Sequence, residues 1–154
     1  MKNILMVLMA VVFGTLTAQA QETNWKKIYD PSLNGKAQIE QAVALAKKEG
    51  KKVMVQVGGN WCPYCIRLNK FVMTDPELKQ MVDDNFVYVH LNYSKENKNL
   101  ELLESWGNPQ KNGFPVLVFL NKKGKVTHVQ PTGDLEKDKS YNKAQLVKVY
   151  QDNK

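Results

Sequence analysis

The chain has 154 residues, 43% hydrophobic and 24% charged, the balance of one folded globular domain and not of a disordered or repetitive chain. Lys and Arg number 22 against 15 Asp and Glu, but the basic residues are scattered over Lys47-Lys48, Lys51-Lys52, Lys122-Lys123 and Lys125. Without interleaved aromatics they read as solvated charge, which argues against a nucleic-acid partner.

Residues 1–20 have the layout of a signal peptide: Lys2, an apolar run from Ile4 to Phe13, then small and polar residues ending in Ala18-Gln19-Ala20. The run is too short to cross a hydrocarbon core of about 30 Å. The expectation is cleavage after Ala20, no stable membrane insertion, and a mature chain from Gln21 exported to the periplasm or secreted. Residues 21–35 form a polar lead containing Trp25 and Tyr29, and residues 36–154 form the domain.

Ile39, Ala42, Val43 and Ala46 recur at helical spacing between Lys36 and Glu49, and Gly50 marks the stop. Lys52 to Val57 is an apolar, β-branched run bounded by Gly58-Gly59, the pattern of a buried strand. Cys62 and Cys65 follow at once, and Leu68, Phe71 and Val72 continue at helical spacing, so the cysteines open a helix at the end of a strand. Thr74-Asp75-Pro76-Glu77 supplies a cap, a first-position proline and an acidic first turn for another helix. Phe86–Asn92 reads as a strand and Leu100–Trp106 as a helix ending at Gly107. Val116–Leu120 and Lys125–Val129 flank a glycine-containing turn as a hairpin, and Ala144, Leu146, Val147 and Tyr150 mark a last helix. This order predicts an α/β fold with a central mixed sheet and helices on both faces. Trp106–Asn112 and Thr132–Tyr141 are left as loops, either a rim beside the cysteines or simply variable segments.

The two cysteines are the only ones and lie three positions apart. Closing so short a loop restricts the unfolded chain little, so the pair points to chemistry more than to stapling. Disulfide exchange needs a thiolate attacker and a nearby thiol to resolve the mixed disulfide. At a helix N-terminus, backbone N–H groups and the macrodipole favour the thiolate. Cys62 is then the attacker and Cys65, one turn deeper, the resolver. The rival is half of a zinc site, but such a site needs four ligands, and the remaining His90 and His128 fall on separate strands. No metal and no cofactor are expected.

Trp61-Cys62-Pro63-Tyr64-Cys65 at a strand-to-helix junction, with Gly113-Phe114-Pro115 opening a later strand, resembles the thioredoxin superfamily over about residues 36–153. The spacing on through Phe71, Asp75 and Pro76 is most similar to exported thioredoxin-like proteins and to the C-terminal thioredoxin domain of the transmembrane thiol:disulfide interchange reductase. The resemblance implies a thioredoxin-like fold, a cis Pro115 against the cysteine pair, and backbone around Phe114 that pairs with an extended substrate. Read without it, Pro115 is a strand-start proline. Trp61 and Tyr64 flank the sulfurs as substrate contacts or as ordinary packing.

Two positions depart from the family. Gln56, six residues before Cys62, replaces a buried Asp that helps move the resolver's proton, and an amide cannot act as a base. His90 stands where the family often has Lys, and either tunes the site or packs. Pro63 and Tyr64 between the sulfurs match the glutaredoxin dipeptide, a group with potentials of about −200 to −230 mV, so an intermediate poise is expected. The combined expectation is an exported protein-disulfide reductase or isomerase acting on protein thiols and disulfides, recharged by a membrane or soluble thiol partner. The alternatives are an oxidase of client thiols and a non-catalytic peptide-binding module.

Overall fold

The computed structural model describes residues 24–154; the expected targeting segment, residues 1–20, lies outside them. Strand β1 (Lys52–Gly58) has six of its seven residues buried, as its run of valines requires. It pairs in parallel with β2 (Phe86–Asn92) and antiparallel with β3 (Val116–Leu120), and β3 pairs antiparallel with β4 (Val126–Pro131). The sheet order is β2-β1-β3-β4. This is the expected mixed sheet.

Alternation along β1 splits the core into two layers. Val53, Val55 and Val57 meet Ile39, Ala42 and Ala46 of α1 (Gly35–Glu49) and Leu103 of α4 (Leu100–Ser105). On the other face, Met54, Leu117 and Phe119 meet Leu68 and Val72 of α2 (Pro63–Thr74), Leu78 and Val82 of α3 (Pro76–Asn85), and Leu146 and Tyr150 of α5 (Lys143–Asn153). Each of the Val, Leu, Ile, Met and Phe side chains among them contributes about 1.5–3 kcal/mol when fully buried.

Local chemistry sets the element ends. The Asn34 side chain accepts the Ala37 N–H at 3.0 Å to start α1, and Gly50 ends it in a left-handed conformation with φ 73°. Asp75 caps α3 by accepting the N–H groups of Glu77 and Leu78 at 3.1 and 3.0 Å. Lys143, at the start of α5, lies 2.9 Å from the Asp75 carboxylate and 2.8 Å from that of Glu77, tying the two helices together.

The segments expected as loops carry more order than the pattern suggested. Pro109–Asn112 is a 3-10 turn, Gly133–Leu135 is another, and β5 (Glu136–Lys137) pairs with β6 (Ser140–Tyr141). The reason is burial: Leu135 and Tyr141 insert into the α2-side core and pin the hairpin there. Among the described residues no helix is long and apolar enough to cross a membrane.

Candidate active site

β1 ends at Gly58, and the chain turns through Gly59-Asn60-Trp61 into α2. The turn tolerates no side chain at position 58. A Cβ there would lie 2.8 Å from the Tyr29 hydroxyl and closer still to Cys65 Sγ. Cys62 is the N-cap of α2, in extended backbone conformation, and Pro63 occupies the first turn, where a missing N–H costs nothing. Cys62 Sγ accepts the backbone N–H of Cys65 at 3.2 Å. The sulfur thus sits where a Ser or Asp side chain would cap a helix, a position that favours negative charge.

The two sulfurs are joined as a disulfide. Cys62 is 3% exposed and Cys65 is fully buried, so a partner can touch the first and not the second. Trp61 and Tyr64 on either side are 55% and 39% exposed. The Trp61 indole N–H donates to the Tyr93 carbonyl at 2.7 Å, and its ring meets Phe114 edge-on at 5.4 Å. The Arg67 guanidinium lies 4.7 Å from the centre of the Tyr64 ring. Phe114 packs against the cysteine cluster. The Phe114–Pro115 peptide is cis, and the buried Pro115 offers its carbonyl to the Thr132 hydroxyl at 2.6 Å. Pro63 lies exposed beside the pair.

Beneath Cys65 the α2-side core turns polar. Gln56 is fully buried. Its Nε2 donates to the Cys65 carbonyl at 3.0 Å and to the Tyr29 hydroxyl at 2.5 Å, while its Oε1 accepts from the Tyr88 hydroxyl. Where the family pattern has a carboxylate, this chain has an amide whose nitrogen donates twice and whose oxygen accepts once.

His90 pairs with Gln56 in register across β1 and β2, but the two side chains find different partners. His90 Nε2 meets Asn69 Oδ1 at 2.9 Å, and the ring stands edge-on to Tyr29 at 5.5 Å. Burial pushes its pKa down to about 4, so at neutral pH the ring is uncharged. Asn69 can only accept through Oδ1, which assigns the proton to Nε2.

Sequence patterning missed Tyr29, Asn60, Asn69 and Tyr88. Tyr88 shares the face of His90 two residues on, and Asn69 lies one helical turn beyond Cys65, so strand and helix periods mark both once the face is known. Tyr29 and Asn60 carry no such signal. The Asn60 side chain accepts the N–H groups of Ile28 and Tyr29, each at 3.0 Å, and donates to the Tyr29 carbonyl at 2.7 Å. The lead segment is thereby fastened to the cysteine loop.

A four-stranded mixed sheet, a cysteine pair capping the helix after its central strand and a cis proline opening a neighbouring strand together define a thioredoxin-like domain. A family profile described as thioredoxin-like matches residues 34–122. The chain belongs to that thioredoxin-like family and carries a Cys-x-x-Cys pair at Cys62 and Cys65. The thiol:disulfide interchange protein DsbD of Citrobacter koseri is 30% identical over 113 residues, covering 73% of this chain and 18% of that protein. Its Salmonella typhimurium counterpart is 32% identical over 82 residues, covering 53% of this chain and 14% of its own length. The chain therefore spans less than a fifth of either relative.

Among solved structures, the disulphide isomerase of Xylella fastidiosa superposes with a TM-score of 0.71 at 25% identity, over 82% of this chain and 95% of that one. The oxidised C-terminal domain of Neisseria meningitidis DsbD superposes with a TM-score of 0.56 at 19% identity, over 77% and 96%, a likeness of fold.

Proposed function

We propose that this chain is an exported protein-disulfide reductase or isomerase in which Cys62 attacks and Cys65 resolves. The observation that carries the reading is the Cys62 sulfur accepting the Cys65 N–H at the head of α2, with Cys62 3% exposed between the exposed Trp61 and Tyr64 while Cys65 is fully buried. The Cys62 thiolate forms a bond to one sulfur of a substrate disulfide and expels the other as a thiolate. The Cys65 thiolate then attacks Cys62 Sγ, breaks the mixed disulfide and releases the reduced substrate. Two electrons leave the pair, which ends as a disulfide and needs a dithiol donor to return. Trp61, Tyr64 and Phe114 offer apolar contact to the substrate chain, with the backbone before Pro115 as its extended partner, and Pro63 has no N–H to donate toward the sulfur.

Export to the periplasm is supported by the composition of residues 1–20 and by the likeness to DsbD. A membrane or soluble thiol protein is then the electron source. Insulin reduction tests the assignment. Cys62→Ser should abolish turnover, whereas Cys65→Ser should attack once and stall as a mixed disulfide whose client can be identified. Full turnover by Cys62→Ser would overturn the reading. Client affinity without any turnover in the unaltered protein would make it a binding module, and a reduction potential near that of the strong oxidases, about −120 mV, would reverse the direction.

A further inference from the structure

The resolving sulfur poses an electrostatic problem. Cys65 is fully buried, and taking a thiolate out of water is costly unless a donor faces it. In this chain the position of the family's carboxylate is an amide that can neither take nor give up a proton in this range. Something else must support the anion.

The hydrogen-bond directions around Gln56 identify it. The Cys65 carbonyl can only accept, so the Gln56 atom 3.0 Å away is the amide nitrogen. The same nitrogen meets the Tyr29 hydroxyl, which must therefore accept from it. The other amide atom is then the oxygen, and it takes the hydrogen of Tyr88. Tyr29 is left with a hydroxyl hydrogen that Gln56 cannot receive. That hydroxyl and Cys65 Sγ crowd the same point above Gly58, and Tyr29 belongs to the same small buried cluster as the two cysteines. Asn60 holds the Tyr29 backbone on both its N–H and its carbonyl, from two residues before Cys62.

We infer that the Tyr29 hydroxyl is the hydrogen-bond donor to the Cys65 sulfur whenever that sulfur carries negative charge. The inference rests on the proposed exchange reaction. In resolution, Cys65 loses its proton to solvent, and Tyr29 donates to the resulting thiolate while keeping its own proton. Cys65 Sγ then bonds to Cys62 Sγ, and the substrate sulfur leaves and is protonated by water. When a dithiol donor attacks Cys62, the same hydroxyl receives Cys65 as the leaving thiolate. Burial raises the Tyr29 pKa far above the working range, so it serves as a donor and never as a base. The network Tyr88 to Gln56 to Tyr29 to Cys65 runs in one direction, and each bond polarises the next.

The test separates this role from packing. In Cys62→Ser protein, where Cys65 is the sole thiol, thiolate absorbance against pH gives the Cys65 pKa without any client. Adding Tyr29→Phe should raise that pKa by about one unit or more, the size expected for losing a hydrogen bond to a charged group. Adding Tyr88→Phe, which removes a hydroxyl at the far side of Gln56, should move it by well under half as much. With Cys62 intact, Tyr29→Phe should leave alkylation of Cys62 within about 2-fold and slow release of the mixed disulfide about 10-fold or more at neutral pH. If Tyr29→Phe does not fold, a ring-fluorinated tyrosine at position 29, a stronger donor, should lower the Cys65 pKa. A Cys65 pKa unmoved by either change overturns the inference even if the protein reduces insulin. A shifted pKa in a protein that turns over nothing overturns the exchange reading instead.

Discussion

Met54 and Gln56 lie two residues apart on one face of β1, beneath the same layer of helices, and both are fully buried. Met54 belongs to a buried cluster with Leu68, Leu78, Leu117, Phe119 and Leu146, in which the Tyr150 hydroxyl has no hydrogen-bond partner. Around Gln56 stand Tyr29, Tyr88 and the Cys65 carbonyl, with Asn69 and His90 paired beside them. One end of the strand is held by area removed from water, the other by hydrogen bonds converging on one amide. The difference falls where the chain turns toward the sulfurs. A wholly apolar layer carried on to Cys65 would leave no group able to face a charged sulfur.

Three measurements can break or sharpen that contrast. Met54→Ala should cost about 3 kcal/mol of unfolding free energy by urea titration, the usual toll of a core cavity. It should leave the rate of mixed-disulfide release per folded molecule unchanged. Gln56→Met copies the apolar end into the polar one. Although it adds a hydrophobic side chain of similar size, it should destabilise by about 2 kcal/mol, because two hydroxyls and a carbonyl lose their partner. A gain in stability there would sink the account of the polar end.

The smallest expected effect is a pH dependence carried by His90. Its folded pKa of about 4 lies below the unfolded value of about 6.5, so the unfolded chain binds the extra proton between them. The stability His90 contributes is therefore complete above about pH 6.5 and is lost as pH falls toward 4. The decline should reach somewhat under 2 kcal/mol by about pH 5. Urea midpoints for the unaltered protein should follow this slope, and His90→Gln should flatten it. The apolar end contributes nothing over the same interval.

These regions also differ in how far they could be read from residues alone. The valines of β1, the helical spacing of Ile39, Ala42 and Ala46, the Asp75 cap and the cysteine pair are local patterns, and each corresponds to an observed element. Gln56 stood out because an amide cannot replace a base, but what it does instead depends on Tyr29, which lies 27 residues away in sequence, and on Tyr88, 32 away. Such contacts are set by which strands pair and in what register, and no period along the chain encodes them. The order in Gly133–Tyr141 escaped notice for a related reason: Leu135 and Tyr141 are isolated apolar residues in a polar stretch, and their burial is visible only once α2 and α5 are in place.

The clamp by which Asn60 grips Ile28 and Tyr29 has a practical corollary for anyone cutting the gene. The first helix starts at Gly35, and a boundary drawn there looks natural, yet it would discard the strap and strip the floor from under the buried sulfur. Shortened or fused versions should begin upstream of Ile28.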